Sequence, residues 1–373
     1  MNQQWQTFLQ TIGFVGLNTS HSDSEIGGSR ALLTNSDVAL VEASDLAVIH
    51  VSGEDAFDFF QAQICNDLSM VQADSAQTNG YCNPKGRLLA LFTVVKVEAG
   101  FLVILPREMA QGFIKRLSMF VLRAKVSVAE REDLMVSAVI ASQHSAVSTL
   151  AKLHDLNALP HTAMGAVTLN SQSDVERILI NFPTHGESDK ARFLFIGPVS
   201  AHIDFWQHCQ QHFAEDACAL VTYDTWRACD ITSAQASVVT QTHEQFIPQM
   251  VNLQLTGGVS FKKGCYPGQE IVARVQYLGK LKRHMRRFSV ELNQLPTPGA
   301  SVASADDQNA GIIVDAIPRS CSVEQGVFTS SEFAQNTVDL LVVVKMDKPI
   351  DSFRIDGAVL TSEPMPYDFV ELG

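Results

Sequence analysis

Residues 261–274 read FKKGCYPGQEIVAR and combine two glycines, a proline and a single cysteine ahead of an amphipathic run. Gly264 and Gly268 permit backbone conformations that other residues avoid, and Pro267 stiffens the chain between them. The spacing predicts a loop followed by a short helix that begins at Pro267. Cys265 should therefore lie just before a helix N-terminus, on a loop that presents its side chain.

Positive charge is concentrated beside this cysteine, although the whole chain carries a net charge of −13. Residues 262–287 contain eight Lys and Arg and one acid, a local balance of 8 − 1 = +7. The helix dipole, Lys262 and Lys263 favour the thiolate of Cys265, which is the form that attacks disulfides, electrophiles and metals. Two plainer interpretations stay open, because a cysteine can pack as a small apolar side chain and a charge run can be a solvated face.

Composition bounds the class of protein. With 373 residues and 46% hydrophobic content the chain suits two or three globular domains. Its apolar runs are too short to span a membrane, and it has no Lys or Arg before Arg30, so we expect a cytoplasmic protein without membrane contact. The acidic balance argues against stable direct binding of nucleic acid, and phosphate-loop motifs are absent from the sequence.

The other cysteines and the histidines do not predict a disulfide framework or a metal site. Seven widely scattered cysteines without a CxxC pair suit neither disulfides nor zinc, and we expect six of them to be buried. His208 and His212 share one helix face near Cys209 and Glu215, which is a spacing that metal sites use. Because the same helix has an apolar face, an exposed polar stripe explains these histidines, and no metal site is predicted.

The pattern of strands and helices predicts an α+β protein with a C-terminal β-barrel. Leu88 to Val97 and Phe101 to Leu105 should be paired strands, and Arg107 to Val121 an amphipathic helix. The predicted units are a flexible lead-in over 1–37, an N-terminal α+β domain over 38–130 completed by 222–284, a middle α+β domain over 131–221, and the barrel domain over 285–373.

Residues 261–274 resemble the signature of the YgfZ family of folate-binding, tRNA-modification-related proteins. The similarity extends upstream through 246–253 (FIPQMVNL), downstream to 363–367 (EPMPY), and to the front of the chain at 61–68 (QAQICNDL) and 84–87 (PKGR). The family implies the three-domain cloverleaf fold of the glycine-cleavage aminomethyltransferase, with the N-terminal unit as the folate-binding domain. It also implies tetrahydrofolate in a central cavity and a role in maintaining iron–sulfur enzymes, among them one that thiomethylates tRNA.

The resemblance assigns the family's key cysteine to Cys265. It places Trp226 where a tryptophan helps to bind folate, and Leu46 where a second tryptophan can occur; a flat aromatic with nearby cations suits a pterin with an anionic tail. Arg227 and Lys85 are the predicted folate contacts, while a core aromatic remains the alternative for Trp226. The motif loop contributes the remaining candidate site residues: Lys263, Gly264, Tyr266, Gly268, Gln269, Glu270 and Arg274.

The predicted function is thus a tetrahydrofolate-binding protein that supports iron–sulfur enzyme maintenance and tRNA thiomethylation through a reactive cysteine. An aminomethyltransferase is the first alternative, but that enzyme needs a carboxylate at the positions where this chain has Ala90 and Leu91. The second alternative is a scaffold that docks an iron–sulfur client through the basic stretch from Lys280 to Arg287.

Overall fold

The computed structural model describes residues 3–12, 38–141, 159–160, 162–168, 177–184, 191–213, 218–279, 281–319 and 337–368. Within them the helices are α1 Gln3–Thr11, α2 Ala56–Gln61, α3 Arg107–Ser118, α4 Val199–His212, α5 Tyr223–Thr232 and α6 Gln269–Tyr277. Short 3-10 helices lie at Leu68–Met70, Thr240–Thr242, Pro248–Val251 and Ile350–Ser352. None of the helices in these ranges is long and apolar enough to cross a membrane.

Strands form most of the regular structure. In the described residues they are, in chain order, β1 Val38–Glu42, β2 Leu46–Ser52, β3 Ala76–Cys82, β4 Leu88–Val97, β5 Gly100–Pro106, β6 Ser127–Glu130, β7 Met135–Ala141, β8 Ala166–Thr168, β9 Ile178–Phe182, β10 Ala191–Gly197, β11 Cys218–Val221, β12 Arg283–Glu291, β13 Ser301–Ser304, β14 Asp307–Pro318, β15 Thr337–Lys345, β16 Arg354–Ile355, β17 Ala358–Val359 and β18 Thr361–Glu363.

The first sheet has the order β3-β4-β5-β2-β6, with antiparallel neighbours. The predicted strand pair and the helix after it are present as β4, β5 and α3. Alternate residues of β2 and β5 face opposite sides, so the sheet separates two apolar cores. We call them the first core, on the side of α2 and α3, and the second core, on the side of the next sheet.

The second sheet has the order β11-β1-β7-β10-β9-β8. Its strand β1 is parallel to β11 and antiparallel to β7, although the boundary predicted at residue 38 groups β1 with the N-terminal unit. The reason is that every residue of β1 is buried, with alternate side chains entering the second core and a third core on the outer face. A strand covered on both faces needs a place inside a sheet, and the middle sheet provides it.

The C-terminal strands form a seven-stranded, nearly closed barrel-like sheet in the order β17-β16-β13-β14-β15-β12-β18. The predicted C-terminal barrel is thereby confirmed. Its interior holds a core of its own, while Met285, Leu341 and Val343 on the outside join the first core. The barrel therefore packs directly on the unit that carries the first sheet.

Several local predictions differ from the structure. The sequence predicts a flexible lead-in over 1–37, but residues 3–11 form α1, because Trp5 and Leu9 lie one turn apart and bury completely against Trp206 and its neighbours in the third core. The apolar spacing of Phe57, Phe60 and Ile64 predicts a helix over 54–63 with Ser52 as its cap, but α2 is shorter, at Ala56–Gln61, and Asp55 is its N-cap. The apolar spacing over 142–155 also predicts a helix; this range and the lead-in beyond residue 12 lie outside the described residues.

Candidate functional site

The loop before α6 presents Cys265 to solvent. Cys265 is the exposed one of the six free cysteines in the described ranges, and nothing lies within 4 Å of a Cβ built on Gly264. The helix begins at Gln269 rather than at Pro267, because Gly268 has a φ of +82° and cannot be helical. The predicted arrangement of an exposed thiol ahead of a helix N-terminus is confirmed, at a distance of four residues.

Gly268 also explains why the motif contacts the front of the chain. A Cβ at this position would lie 2.4 Å from the carbonyl oxygen of Asn83 and 2.7 Å from Cα of Gly86, so only glycine fits. The Oδ1 atom of Asn83 accepts from the backbone N–H of Lys85 at 2.8 Å and of Arg87 at 3.1 Å, which holds this turn in shape. Lys85 is exposed on it. The structure thus brings Lys85 to the cysteine loop.

Lys263 lies inside the protein, with 8% of its surface exposed. Its Nζ donates to the carbonyl oxygens of Gln61 at 2.5 Å, Ile64 at 2.7 Å and Asn66 at 2.9 Å. Burial lowers the pKa of Lys263 to about 8, against the opposing effect of Asp67 and Cys65. The expectation that Lys263 stabilises the Cys265 thiolate is therefore corrected, because its three donors are directed at carbonyls of the first-sheet unit.

Lys263 acts as a clamp between two stretches that the family resemblance had singled out, 61–68 and 261–274. Its ammonium also lies 5.5 Å from the ring centroid of Tyr266, which is buried beneath the loop. Burial raises the pKa of Tyr266, and its hydroxyl has no hydrogen-bond partner in the described part of the chain. The Nε2 of Gln269 donates to the carbonyls of Lys263 and Gly264, both at 3.4 Å, which ties the helix back to the loop.

The exposed side of this region is a mixed surface. Along α6, Val272 is buried and the opposite side carries the exposed residues. Phe261 contacts Tyr277 edge to face at 6.1 Å, so the loop runs back along the helix that follows it. We call the exposed set the thiol surface; it consists of Lys262, Cys265, Glu270, Arg274, Tyr277 and Leu278.

The basic stretch after α6 is less exposed than its charge suggests. Arg287 is 9% exposed and its Nη1 donates to the carbonyl of Pro364 at 2.7 Å, while burial lowers the pKa of both Arg286 and Arg287. Lys280 lies outside the described residues. Two of the eight clustered cations, Lys263 and Arg287, are thus engaged inside the protein.

Trp226 lies in the second core, on the opposite side of the first sheet from α3. It is 2% exposed, and Leu46, 6% exposed, belongs to the same core. The guanidinium of Arg192 lies 4.7 Å from its ring centroid, and Phe182 meets its edge at 5.2 Å. Trp226 therefore has the placement of a core aromatic with a cation on its ring.

Arg192 was missed by the sequence reasoning, although a single arginine in the apolar strand ARFLFIG is a signal of a buried polar site. Its side chain is fully buried; Nε donates to the carbonyl of Pro183 and Nη1 to Asp230, each at 2.7 Å. Nη2 finds no acceptor among the described residues. An acceptor oxygen of a bound pterin would satisfy this donor, so the stack of Arg192 on Trp226 has a fitting group for folate.

Arg227 faces the barrel instead of the second core. Its Nη1 donates to Asp224 at 2.8 Å, and its Nη2 pairs with Asp315 of β14. Burial opposes the charge, but Asp315 and Asp224 raise the pKa of Arg227 above its ordinary value. The guanidinium predicted to contact folate is thus engaged by two carboxylates.

The positions matching the aminomethyltransferase carboxylate are buried and apolar, with Ala90 2% and Leu91 6% exposed. The histidine pair on α4 is engaged locally: Nδ1 of His208 and of His212 contact the backbone carbonyls one turn earlier, at 2.7 Å and 2.9 Å. Cys209, between them, is buried in the third core, and Glu215 lies outside the described residues.

Comparison with known proteins gives one consistent answer. The chain is 29% identical over 338 residues to the tRNA-modifying protein YgfZ of Klebsiella pneumoniae, covering 88% of this chain and 93% of that protein. The resemblance to YgfZ is confirmed. The YgfZ proteins of Yersinia enterocolitica and Colwellia psychrerythraea are 27% and 28% identical, over 92% and 68% of this chain and 97% and 72% of their own lengths.

The fold has a solved relative. The aminomethyltransferase T of the glycine cleavage system from Bartonella henselae matches with a TM-score of 0.67 at 13% sequence identity, covering 89% of this chain and 87% of that one. The aminomethyltransferase-like fold predicted from the YgfZ resemblance is thereby confirmed. No protein-family model matches the chain.

Proposed function

We propose that this protein binds tetrahydrofolate, or a close folate derivative, and supports tRNA thiomethylation through the thiol of Cys265 by maintaining an iron–sulfur client enzyme. The observation that carries the proposal is the exposed Cys265 on a loop that Lys263 clamps to the first-sheet unit. Because hydrogen bonds fix the buried side of this loop and its other side is exposed to solvent, the loop is suited to present a reactive thiol. The similarity to proteins named for tRNA modification supplies the process.

Aminomethyl transfer is the weaker proposal for this fold. The chemistry needs a carboxylate near the folate amine, and Ala90 and Leu91 at the matching positions offer only buried apolar surface. In an assay with the lipoyl carrier of glycine cleavage we expect no production of methylenetetrahydrofolate. Robust turnover in that assay would return the protein to the class of aminomethyltransferases.

Folate would bind where Arg192 lies over Trp226. The indole gives a flat apolar face and the unpaired Nη2 of Arg192 gives a donor for a pterin oxygen. Because Trp226 is 2% exposed, binding requires the Arg192 side chain to shift and admit the ring. Folate brings a one-carbon carrier to the site, and these residues hold and orient it.

Complementation tests the role of Cys265. Cells that lack the protein are supplied with wild type, Cys265→Ser or Cys218→Ser, and thiomethylated tRNA nucleosides are quantified by mass spectrometry. Cys218 is the matched control, since it is a partly buried thiol outside the loop. We expect rescue by wild type and by Cys218→Ser and none by Cys265→Ser, with equal melting temperatures.

A scaffold without thiol chemistry is the second candidate, and the thiol surface is the observation that favours it. Tyr277 is 65% and Leu278 85% exposed beside Arg274, which is the composition of a protein-binding site. Full rescue by Cys265→Ser together with loss of rescue by Leu278→Asp would support the scaffold and contradict the thiol proposal.

A further inference from the structure

A cavity of about 430 Å³ lies between α3 and the turn at Thr240–His243, away from both sites described above. Its floor is apolar and buried: Tyr81, Leu89, Met109 and Phe113 all belong to the first core. The ring of Tyr81 meets Phe113 edge to face at 5.8 Å, which makes the floor rigid. The volume is within the range of small-molecule sites, about 300–1,000 Å³.

The wall of this cavity carries cationic groups. They are Lys115 and Arg116, in the last turn of α3; the imidazole of His243 also lines the cavity. The one acid in the lining, Glu108, accepts a hydrogen bond from the hydroxyl of Thr240 at 2.7 Å and is thereby engaged. That hydrogen bond leaves the carboxylate its charge, so Lys115 and Arg116 against Glu108 give the lining a formal charge of 2 − 1 = +1.

Arg116 supplies the observation that points to a ligand. Its Nε is buried and has no acceptor in the residues the structure describes. Leaving a buried guanidinium N–H unpaired lowers the stability of the folded protein. The hydroxyl oxygen of Tyr81 accepts a hydrogen bond from the guanidinium of Arg116, while burial raises the pKa of Tyr81. Arg116 thus keeps one guanidinium N–H without an acceptor in the lining of an apolar cavity.

We propose that this cavity binds a small organic anion, a carboxylate attached to an apolar, ring-sized body, with the carboxylate on Arg116 and Lys115 and the body on the floor of Tyr81, Leu89 and Phe113. The site is separate from the Trp226 stack, because the first sheet lies between the first core and the second core. Its occupancy is independent of folate binding.

The chain offers a variant that fills the cavity without disturbing the core. Gly112 of α3 lines the cavity, and a Cβ added there meets nothing within 4 Å. Gly112→Phe places a ring in the ligand's space, whereas Gly112→Ala adds a single methyl group and serves as the matched control. Both variants keep the helix, since alanine and phenylalanine form helices better than glycine does.

The test is calorimetric titration of the full chain with 2-naphthoate and with the uncharged 2-naphthamide. We expect wild type and Gly112→Ala to bind 2-naphthoate, Gly112→Phe to lose binding, and Arg116→Gln to bind about tenfold more weakly, because a charge-assisted hydrogen bond is removed. The amide should bind at least about tenfold more weakly than the acid.

Melting temperatures and tetrahydrofolate titration of Gly112→Phe serve as controls for the fold and for the folate site. If the titration detects no binding of 2-naphthoate to wild type at millimolar concentration, the proposal is overturned. Unchanged binding in Gly112→Phe shows that the probe binds elsewhere, and equal affinities for acid and amide overturn the anionic class. If wild type does not bind tetrahydrofolate at all, that result counts against the proposed function but not against the anion site in this cavity.

Discussion

Replacing Lys263 with methionine tests whether the clamp holds the cysteine loop. The side chain keeps most of its apolar stem, but the carbonyls of Gln61, Ile64 and Asn66 lose a donor at 2.5–2.9 Å. Each buried carbonyl left unpaired costs about 1–3 kcal/mol, while the cost of burying the ammonium is recovered. We expect the net free energy of unfolding to fall by about 2–4 kcal/mol.

The measurement is urea unfolding followed by circular dichroism, with Lys262→Met as the matched control. Lys262 is the exposed neighbour, so the same chemical change there should alter stability by less than about 0.5 kcal/mol. The two variants differ by one position in sequence and by burial in the fold. The difference between their unfolding free energies therefore isolates the contribution of the clamp.

The clamp also predicts a dependence on pH. Burial lowers the pKa of Lys263 to about 8 from 10.5, so between these values the unfolded chain binds more protons than the folded one. Stability attributable to this group should therefore rise as pH increases from about 8 to about 10, and the gap between wild type and Lys263→Met should widen. Equal stability of Lys263→Met and Lys262→Met would refute the clamp, and a gap that narrows in this window would refute the lowered pKa of Lys263.

Three further outcomes follow from the structure. Substoichiometric iodoacetamide should label Cys265 before the other described thiols, since it is the exposed one and burial raises the pKa of Cys218 to about 11. Peptide mass spectrometry checks this on a Cys321→Ser background, because Cys321 lies outside the described residues, and even labelling contradicts it. Tetrahydrofolate should quench tryptophan fluorescence in wild type but not in Trp226→Phe. Arg192→Lys retains the charge facing Asp230 but lacks Nη2, so it should bind tetrahydrofolate about tenfold more weakly. Unchanged affinity for tetrahydrofolate in both variants would show that folate does not bind at Arg192 and Trp226. Gly112→Ala should raise the free energy of unfolding by about 0.5–1 kcal/mol in urea, and a loss of stability would show that the cavity is not open at this position.

Local patterns in the sequence predicted the elements well, because each depends on neighbouring residues. The run from Leu88 to Val97 and the amphipathic stretch after Arg107 became β4 and α3, and the glycines around Cys265 gave the exposed loop. The placement of β1 was not predictable in this way. Its four apolar residues suit either neighbouring sheet, and pairing with β11 joins residues that are far apart in sequence.

The direction of charged side chains was the main gap in the prediction of the site. A sequence shows that Lys262 and Lys263 are adjacent cations, but it does not show that three carbonyls of 61–66 converge on one of them. Without those acceptors, both lysines would be assigned to the solvent beside Cys265. Burying an ammonium requires acceptors that only the folded chain can assemble, so the role of Lys263 follows from the tertiary structure.

The same argument applies to Arg192 and separates its role from that of Arg227. Both guanidiniums are buried beside carboxylates, but Arg227 has Asp224, Asp315 and the carbonyl of Ala316 as acceptors, whereas Arg192 keeps Nη2 unpaired over an indole ring. A fully paired guanidinium joins the barrel to α5 and has little left to offer a ligand. A partly paired one retains a donor at the cost of stability, and this donor is open to an acceptor from a ligand or an ordered water. In the proposed folate site Arg192 is therefore the cation with a donor left for the ligand, whereas the family resemblance had pointed to Arg227.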